Sequence, residues 1–337
     1  MTASSILVTG GAGYIGAVLT PKLIAKGYRV SVLDCFFFGE QPLVPVGGGP
    51  VPRLIRGDIR DAALVDRVLG EGHFDTVIHL AAISNDPSSE LDPDITRGVN
   101  LDGCRVVMEA AKRHGVRRFL YASSASVYGI KETEHVTEDL SLEPLTIYAR
   151  FKAEGEAILN RLADDRFCVV SVRAATVCGY SPRLRLDLTI NILTSHALTK
   201  GKIRVFGGAQ MRPNIHIEDL ADFYVLLCEA DPALIQRQVF NVSHTNASVL
   251  SLAEMIRAEI DPALPIDIIP SDDNRSYHLS ADRAKAVLGF VPVHALNEAV
   301  HDLKKAFAAG RVERPEDSIY RNVVHMKQRL DFWKRTD

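Results

Sequence analysis

The segment that most constrains this chain is Thr9-Gly10-Gly11-Ala12-Gly13-Tyr14-Ile15-Gly16, which runs out of the apolar stretch Ile6–Thr9 and into an amphipathic one. Gly10, Gly13 and Gly16 stand at every third position of a strand-to-helix junction. Missing side chains let such a turn close tightly and let its backbone approach a pyrophosphate, while the helix that follows aims free N–H groups and its positive dipole end at the phosphates. Glycines alone need only mean a tight turn. Placed between a strand and a helix, they predict dinucleotide binding.

The rest of the first half repeats the same alternation. Strands are predicted at Ile6–Thr9, Arg29–Leu33, Arg53–Arg56, Thr76–Leu80, Arg118–Ala122 and Cys168–Arg173, and helices near Tyr14–Lys26, Ala62–Leu69, Leu101–His114 and Tyr148–Leu162. The strands are continuous Val/Ile/Leu runs, as in a parallel sheet covered on both faces. The expected fold is therefore α/β, a Rossmann-type doubly wound parallel sheet with a smaller, discontinuous α/β substrate domain. Residues 1–175 plus about 210–245 would bind the dinucleotide, and about 176–209 and 246–337 would form the second unit. Phe36–Pro52, with Gly47-Gly48-Gly49, reads as a loop. In the second half, helices are expected at Leu188–Thr199, Leu220–Glu229, Leu250–Glu259, Ala281–Leu288 and Leu296–Ala308, and a strand at Gln238–Val242 that rejoins the main sheet.

Composition narrows the partners. The net charge of −3 is spread without a long run of one sign, which argues against nucleic acid. No stretch approaches the ~20 apolar residues of a membrane span, and no basic-then-apolar leader opens the sequence, so a cytoplasmic, membrane-free protein is expected. The five cysteines, none in a C-x-x-C pair, suggest neither a metal site nor a disulfide framework.

Asp34 ends the second predicted strand, eighteen positions after Gly16. A carboxylate there accepts hydrogen bonds from the adenosine ribose and repels a 2′-phosphate, which favours NAD over NADP. Asp58, closing the third strand, is placed either to reach the adenine or to cap the next helix. Tyr148 and Lys152 lie four apart, one turn of a single helix face. A tyrosine has a reference pKa of roughly 10 and is a poor base at neutral pH. A neighbouring ammonium, joined by a nicotinamide cation, is expected to lower it. Such a pair can take a proton from a substrate hydroxyl while hydride leaves for the cofactor. Ser124, where the fifth strand ends, is placed to hydrogen-bond the reacting oxygen.

Taken in order, these pieces resemble the extended short-chain dehydrogenase/reductases, particularly their sugar-nucleotide epimerase/dehydratase group. The shared segments are TGGAGYIG at Thr9–Gly16, Asp34, GDIRD at Gly57–Asp61, HLAA at His79–Ala82, Asn100, the Ser124 segment, Tyr148/Lys152, Arg173–Gly179, Arg212–Asp219 and Arg275. The resemblance implies that Tyr148 is the base and acid, that Lys152 anchors the nicotinamide ribose, and that Ser124 binds the sugar oxygen. It sets Gly10, Gly13, Tyr14, Ile15, Gly16, Asp34, Asp58, Ile59, Leu80, Ala81, Ala82 and Asn100 against NAD. Ser84, Ser126, Arg183, Arg212 and Arg275 fall on the side of a nucleotide-diphosphate sugar. A homodimer through a four-helix bundle of Leu101–His114 and Tyr148–Leu162 is likewise implied.

The residues after Ser124 narrow the reaction. Dehydratases of the group place an Asp-Glu pair there, and UDP-glucuronate decarboxylases a glutamate at the position of Ser126; this chain has Ala125-Ser126. That pair is closer to UDP-glucose 4-epimerases. The segments Ile83–Ser88 and Tyr180–Asp187, expected to line the sugar pocket, depart from those epimerases. The readings are an NAD-dependent epimerase working by transient C4 oxidation, a nucleotide-sugar 4-ketoreductase or C4 dehydrogenase, and, more remotely, a non-catalytic dinucleotide-binding regulator. Arg311–Asp337, with Trp333, carries no chemical signal in the sequence and reads as surface cover or dimer support.

Overall fold

The computed structural model describes residues 4–43, 50–271, 276 and 278–334. Its first half runs β1 (Ser5–Thr9), α1 (Gly16–Ala25), β2 (Arg29–Asp34), β3 (Arg53–Arg56), α2 (Ala62–Gly72), β4 (Thr76–His79), α3 (Asp86–Ser89), α4 (Pro93–Arg97), α5 (Cys104–Arg113), β5 (Arg118–Ala122), α6 (Ile147–Leu162) and β6 (Cys168–Ala174). There follow β7 (Thr176–Cys178), α7 (Thr189–Lys200), β8 (Ile203–Phe206), β9 (Met211–His216), α8 (Ile217–Glu229), α9 (Pro232–Ile235) and β10 (Gln238–Val242). The chain continues with β11 (Thr245–Ser248), α10 (Val249–Ile260), β12 (Ile266–Ile269), α11 (Asp282–Leu288), α12 (Leu296–Ala308) and α13 (Asn322–Gln328).

Seven strands form one parallel sheet in the order β10-β6-β5-β4-β1-β2-β3. The apolar runs are strands because both of their faces are covered. Val8, Ile78, Leu120 and Val170 pack with α8, whereas Leu7, Val77, Phe119 and Val169 pack with α2 and α5. Strand order reverses between β1 and β4, and ligands of open parallel sheets bind outside the carboxyl ends at such a point. A third apolar cluster joins α7, α10 and α12 to β8. Two small sheets, β11-β9-β7 and β12-β8, lie in the second half. Sequence periodicity does not show these short strands, because three to six residues carry too little pattern. Two further differences stand out. The Leu101–His114 helix begins with a wider π-type turn, Gly98–Gly103, and the C-terminal stretch forms α13 and a short 3₁₀ turn at Leu330–Lys334.

Helix α6 meets the carboxyl end of β5 where Gly155 faces Tyr121. A Cβ on Gly155 would lie 2.8 Å from Cζ of Tyr121, so glycine sets the distance between the helix and the sheet edge. Gly155→Ala should therefore force α6 outward and cost about 1–3 kcal/mol, the usual penalty for overpacking. An unchanged urea midpoint would show that the contact does not constrain the helix.

Candidate active site

A cavity of about 490 Å³ opens at the carboxyl ends of the strands, within the size range of small-molecule sites. One end is the glycine loop. Gly10 has φ +73°, and a Cβ there would stand 2.5 Å from the backbone nitrogen of Ala81. A Cβ on Gly16 would fall 2.5 Å from Cα of Gly11. The loop is thus a backbone cradle that side chains would fill. Gly10, Gly13, Tyr14, Ile15 and Gly16 all line the cavity, as do Asp34, Asp58, Ile59, Leu80, Ala81 and Ala82. Asp34 is held by backbone N–H groups of Ala12 (3.0 Å) and Phe36 (2.8 Å). Burial raises its pKa and those two hydrogen bonds oppose the rise. Asp58 does not cap α2; Asp61 does, accepting from Leu64 N at 3.0 Å. Asp58 instead takes the Arg60 guanidinium at 2.7 and 3.0 Å. The cradle, the ribose-level carboxylate and the helix start suit a dinucleotide.

Tyr14 ties this end to the second half of the chain. Its hydroxyl donates to Gly179 O at 2.7 Å and receives Asn191 Nδ2 at 3.1 Å, while Ser181 Oγ donates to Tyr14 O at 2.8 Å.

Asn100 and Lys152 stand behind the lining. The buried Asn100 amide bonds both backbone groups of Ile83, at 2.8 and 2.9 Å, and so fixes the loop after β4. Lys152 is 3% exposed and donates to Ala122 O at 2.6 Å. Burial pulls its pKa down to about 8, against Cys104 and Glu156.

Tyr148, Lys152 and Glu156 recur every four residues on one face of α6. Glu156, 8% exposed, receives Arg173 of β6 through two bonds, 2.9 and 2.6 Å. Arg173 Nη1 donates to Tyr128 OH at 2.7 Å, and Tyr128 donates to Asn241 of β10 at 2.7 Å. Ser123 also bonds Glu156. This buried network presses the tyrosine-bearing helix onto the strand ends beside Ser124.

Ser124, Ser126 and Tyr148 meet in the cavity wall. Ser124 Oγ lies 2.9 Å from Ser126 Oγ. Tyr148 is buried beside the Asp86 carboxylate. Burial, then the Asp86 carboxylate, push its pKa up to about 12; Arg185 and a hydrogen bond with Ser124 pull it down. Lys152 Nζ lies 5.7 Å from the Tyr148 ring centroid while donating to Ala122 O.

The far end of the cavity is polar and only partly anticipated. Arg185 bonds Asp187 at 2.9 and 3.2 Å and approaches Ser84 Oγ at 3.5 Å. Asn322 donates its backbone N–H to Asp187 (2.9 Å) and its amide to Ser84 (2.9 Å), and receives Arg183 at 2.5 Å. Burial and the neighbouring Arg185 lower Arg183 to about 9. Asp86 accepts from Thr146, the N-cap of α6, at 2.7 Å. Arg212 lines the cavity and donates to Met211 O at 3.0 Å. Arg275 lies outside the described residues. The sequence pointed to the segments holding Asn85, Asp86, Arg185 and Asp187 without singling out these side chains. It gave no sign of Asn322, Met326 or Trp333, all in the lining, so part of the C-terminal stretch read as surface cover or dimer support is cavity wall.

The NAD dependent epimerase/dehydratase family model matches residues 6–243. The chain belongs to this family. Among characterised relatives, UDP-glucose 4-epimerase of Corynebacterium glutamicum is 31% identical over 86% of this chain and 91% of its own length. UDP-glucuronic acid decarboxylase 1 of Arabidopsis thaliana is also 31% identical, over 88% of this chain and 68% of its own. The crystal structure of the Thermus thermophilus UDP-glucose 4-epimerase complexed with NAD superimposes with a TM-score of 0.80, at 25% identity, covering 90% of this chain and 99% of that one. This is an enzyme of an NAD-dependent family. Among the described residues no helix is long and apolar enough to cross a membrane.

The buried ammonium offers a direct check on the family's helix geometry. Burial holds the Lys152 pKa down at about 8 in the folded chain, against 10.5 for the free side chain. Between those values the unfolded chain binds more protons, so folding stability gains with rising pH. Lys152→Met should remove that gain, on the order of 3 kcal/mol across the window. Urea unfolding at pH 7.5 and 10.5 measures it; parallel curves for the two proteins would mean that the ammonium is not desolvated.

Proposed function

We propose that the chain is an NAD-dependent nucleotide-sugar epimerase acting by transient C4 oxidation of the sugar. The observation that carries this reading is the convergence of Ser124 and Tyr148 in one cavity wall, with Ser126, not a carboxylate, bonded to Ser124. The identity shared with UDP-glucose 4-epimerases supports it. NAD would be held along the glycine loop with Asp34 at its adenosine ribose, and when bound would supply a hydride acceptor and donor for a sugar carbinol.

The chain's own residues manage the proton. Tyr148, acting as the phenolate, withdraws it from the C4 hydroxyl and, then protonated, returns it after inversion, while Ser124 steadies the oxygen as its charge develops. The opposing fields of Asp86 and Arg185 set how readily the phenol gives up its own proton. Water elimination needs a carboxyl group free to move a proton beside the sugar. Asp86 and Asp187 both line the cavity, but Thr146 engages one and Arg185 with Asn322 the other. Ser84, Arg183, Arg212 and Arg275 are assigned to the sugar nucleotide.

The domain division given by the sequence is proposed on the same footing, supported by the separate apolar cluster of α7, α10 and α12. We also propose a homodimer through α5 and α6, which leave Val106 and Phe151 part-exposed. Sedimentation of a single 37.0 kDa species at micromolar concentration would reject the dimer.

The reaction is tested by incubating the enzyme with a panel of nucleotide sugars in deuterated water, with and without added NAD or NADH. The expected product is a C4 stereoisomer with no net change in NADH and no solvent deuterium at C4. Stoichiometric production or use of NADH would instead make the protein a C4 dehydrogenase or ketoreductase. Tyr148→Phe should lower turnover by at least about 10²-fold and leave NAD binding intact; full activity in that variant removes Tyr148 as the base.

A further inference from the structure

The cavity wall near β3 is built by residues some three hundred positions further on. Trp333 lines the cavity and is 8% exposed, packed in one cluster with Phe37, Ile59, Val99 and Met326. Its ring centroid lies 5.0 Å from Phe37 and 5.4 Å from Phe332. Arg60, which chelates Asp58, donates to Trp333 O at 3.1 Å and lies 5.9 Å from the indole centroid. The indole is thus fixed against the Gly57–Arg60 turn, on the side of the cavity that Asp34 and Asp58 share. Within this ordered setting Nε1 is buried and has no hydrogen-bond partner among the described residues. A buried donor left unmade costs roughly 1–3 kcal/mol, which is why such groups in native proteins normally have a partner.

The geometry points to Trp333 as a binding residue for the adenosine half of the dinucleotide, its indole N–H donating to an acceptor on that half while its ring walls the subsite. An indole supplies one donor and a broad apolar face, a match for a nucleoside carrying ring acceptors. Asn322 and Met326 come from the same segment, so the stretch that closes the adenosine side also reaches Ser84 and Asp187 at the sugar side. The assignment rests on the dinucleotide reading of the glycine loop and is independent of whether the reaction is an epimerisation.

Trp333 is the chain's single tryptophan, so its fluorescence reports on this position alone. Protein freed of retained nucleotide is titrated with NAD, AMP and nicotinamide mononucleotide, read by Trp emission and by calorimetry. NAD and AMP are expected to change the emission, and the mononucleotide to leave it unchanged. Trp333→Phe, which keeps an aromatic face and loses the N–H, should weaken calorimetric AMP and NAD binding by roughly tenfold, about 1.4 kcal/mol. Its unfolding midpoint shows whether the fold is kept. Emission indifferent to AMP, together with unchanged affinity in Trp333→Phe, overturns the assignment while leaving NAD binding in place. Calorimetry that shows neither NAD nor AMP binding to the unmodified protein overturns the dinucleotide reading itself, and this assignment with it.

Discussion

Gly10 lets two strand ends pass each other at van der Waals contact, and the site is arranged around that passage. With φ +73° and no room for a Cβ beside Ala81, the first loop can fold over the end of β4. Gly10 N then bonds Leu33 O at 2.9 Å, and Leu80 N bonds Thr9 O at 2.9 Å, so β2, β1 and β4 are stitched together at their carboxyl ends. The cleft at the reversal of strand order exists because backbone, not side chain, occupies this crossing. Helix α1 starts immediately beyond, at Gly16, and its N-terminal end lines the cleft.

The second support is the charge buried under α6. An Arg–Glu pair removed from water is stable only when its remaining donors and acceptors are met. Here Tyr128 and Ser123 meet them, with Asn241 accepting from Tyr128 in turn, and they come from the strand ends and the turn that presents Ser124. The same contacts therefore fix Tyr148 and Ser124 relative to each other. Glycine at position 155 admits the helix to that depth, and the depth is also what desolvates Lys152 and Tyr148.

Most of the sheet was legible because Ile6–Thr9, Thr76–Leu80, Arg118–Ala122 and Cys168–Arg173 are apolar on both faces, a pattern local to each strand. The glycine loop, Asp34 and the Tyr148/Lys152 spacing are local as well. The burial of Tyr148 and the Asp86 field beside it were not, since both arise only when α3 docks on α6. The far end of the cavity was hidden for the same reason. Ser84 meets Arg185 across 101 positions and Asn322 across 238. Those partners come together only after the whole α/β framework has formed, and no periodicity encodes them. The bonds that tie Asn100, in its π-type turn, to Ile83 are likewise set by the docking of that turn on the loop after β4.

The contact between Arg60 and Trp333 spans 273 positions, which has a consequence for biogenesis. A ribosome delivers the glycine loop, β3 and the Phe36-Phe37-Phe38 run long before it delivers their aromatic cover. At the usual ~5–20 residues per second, the nascent first half waits more than ten seconds with that apolar surface open. Its contacts of high sequence separation also slow the final closure.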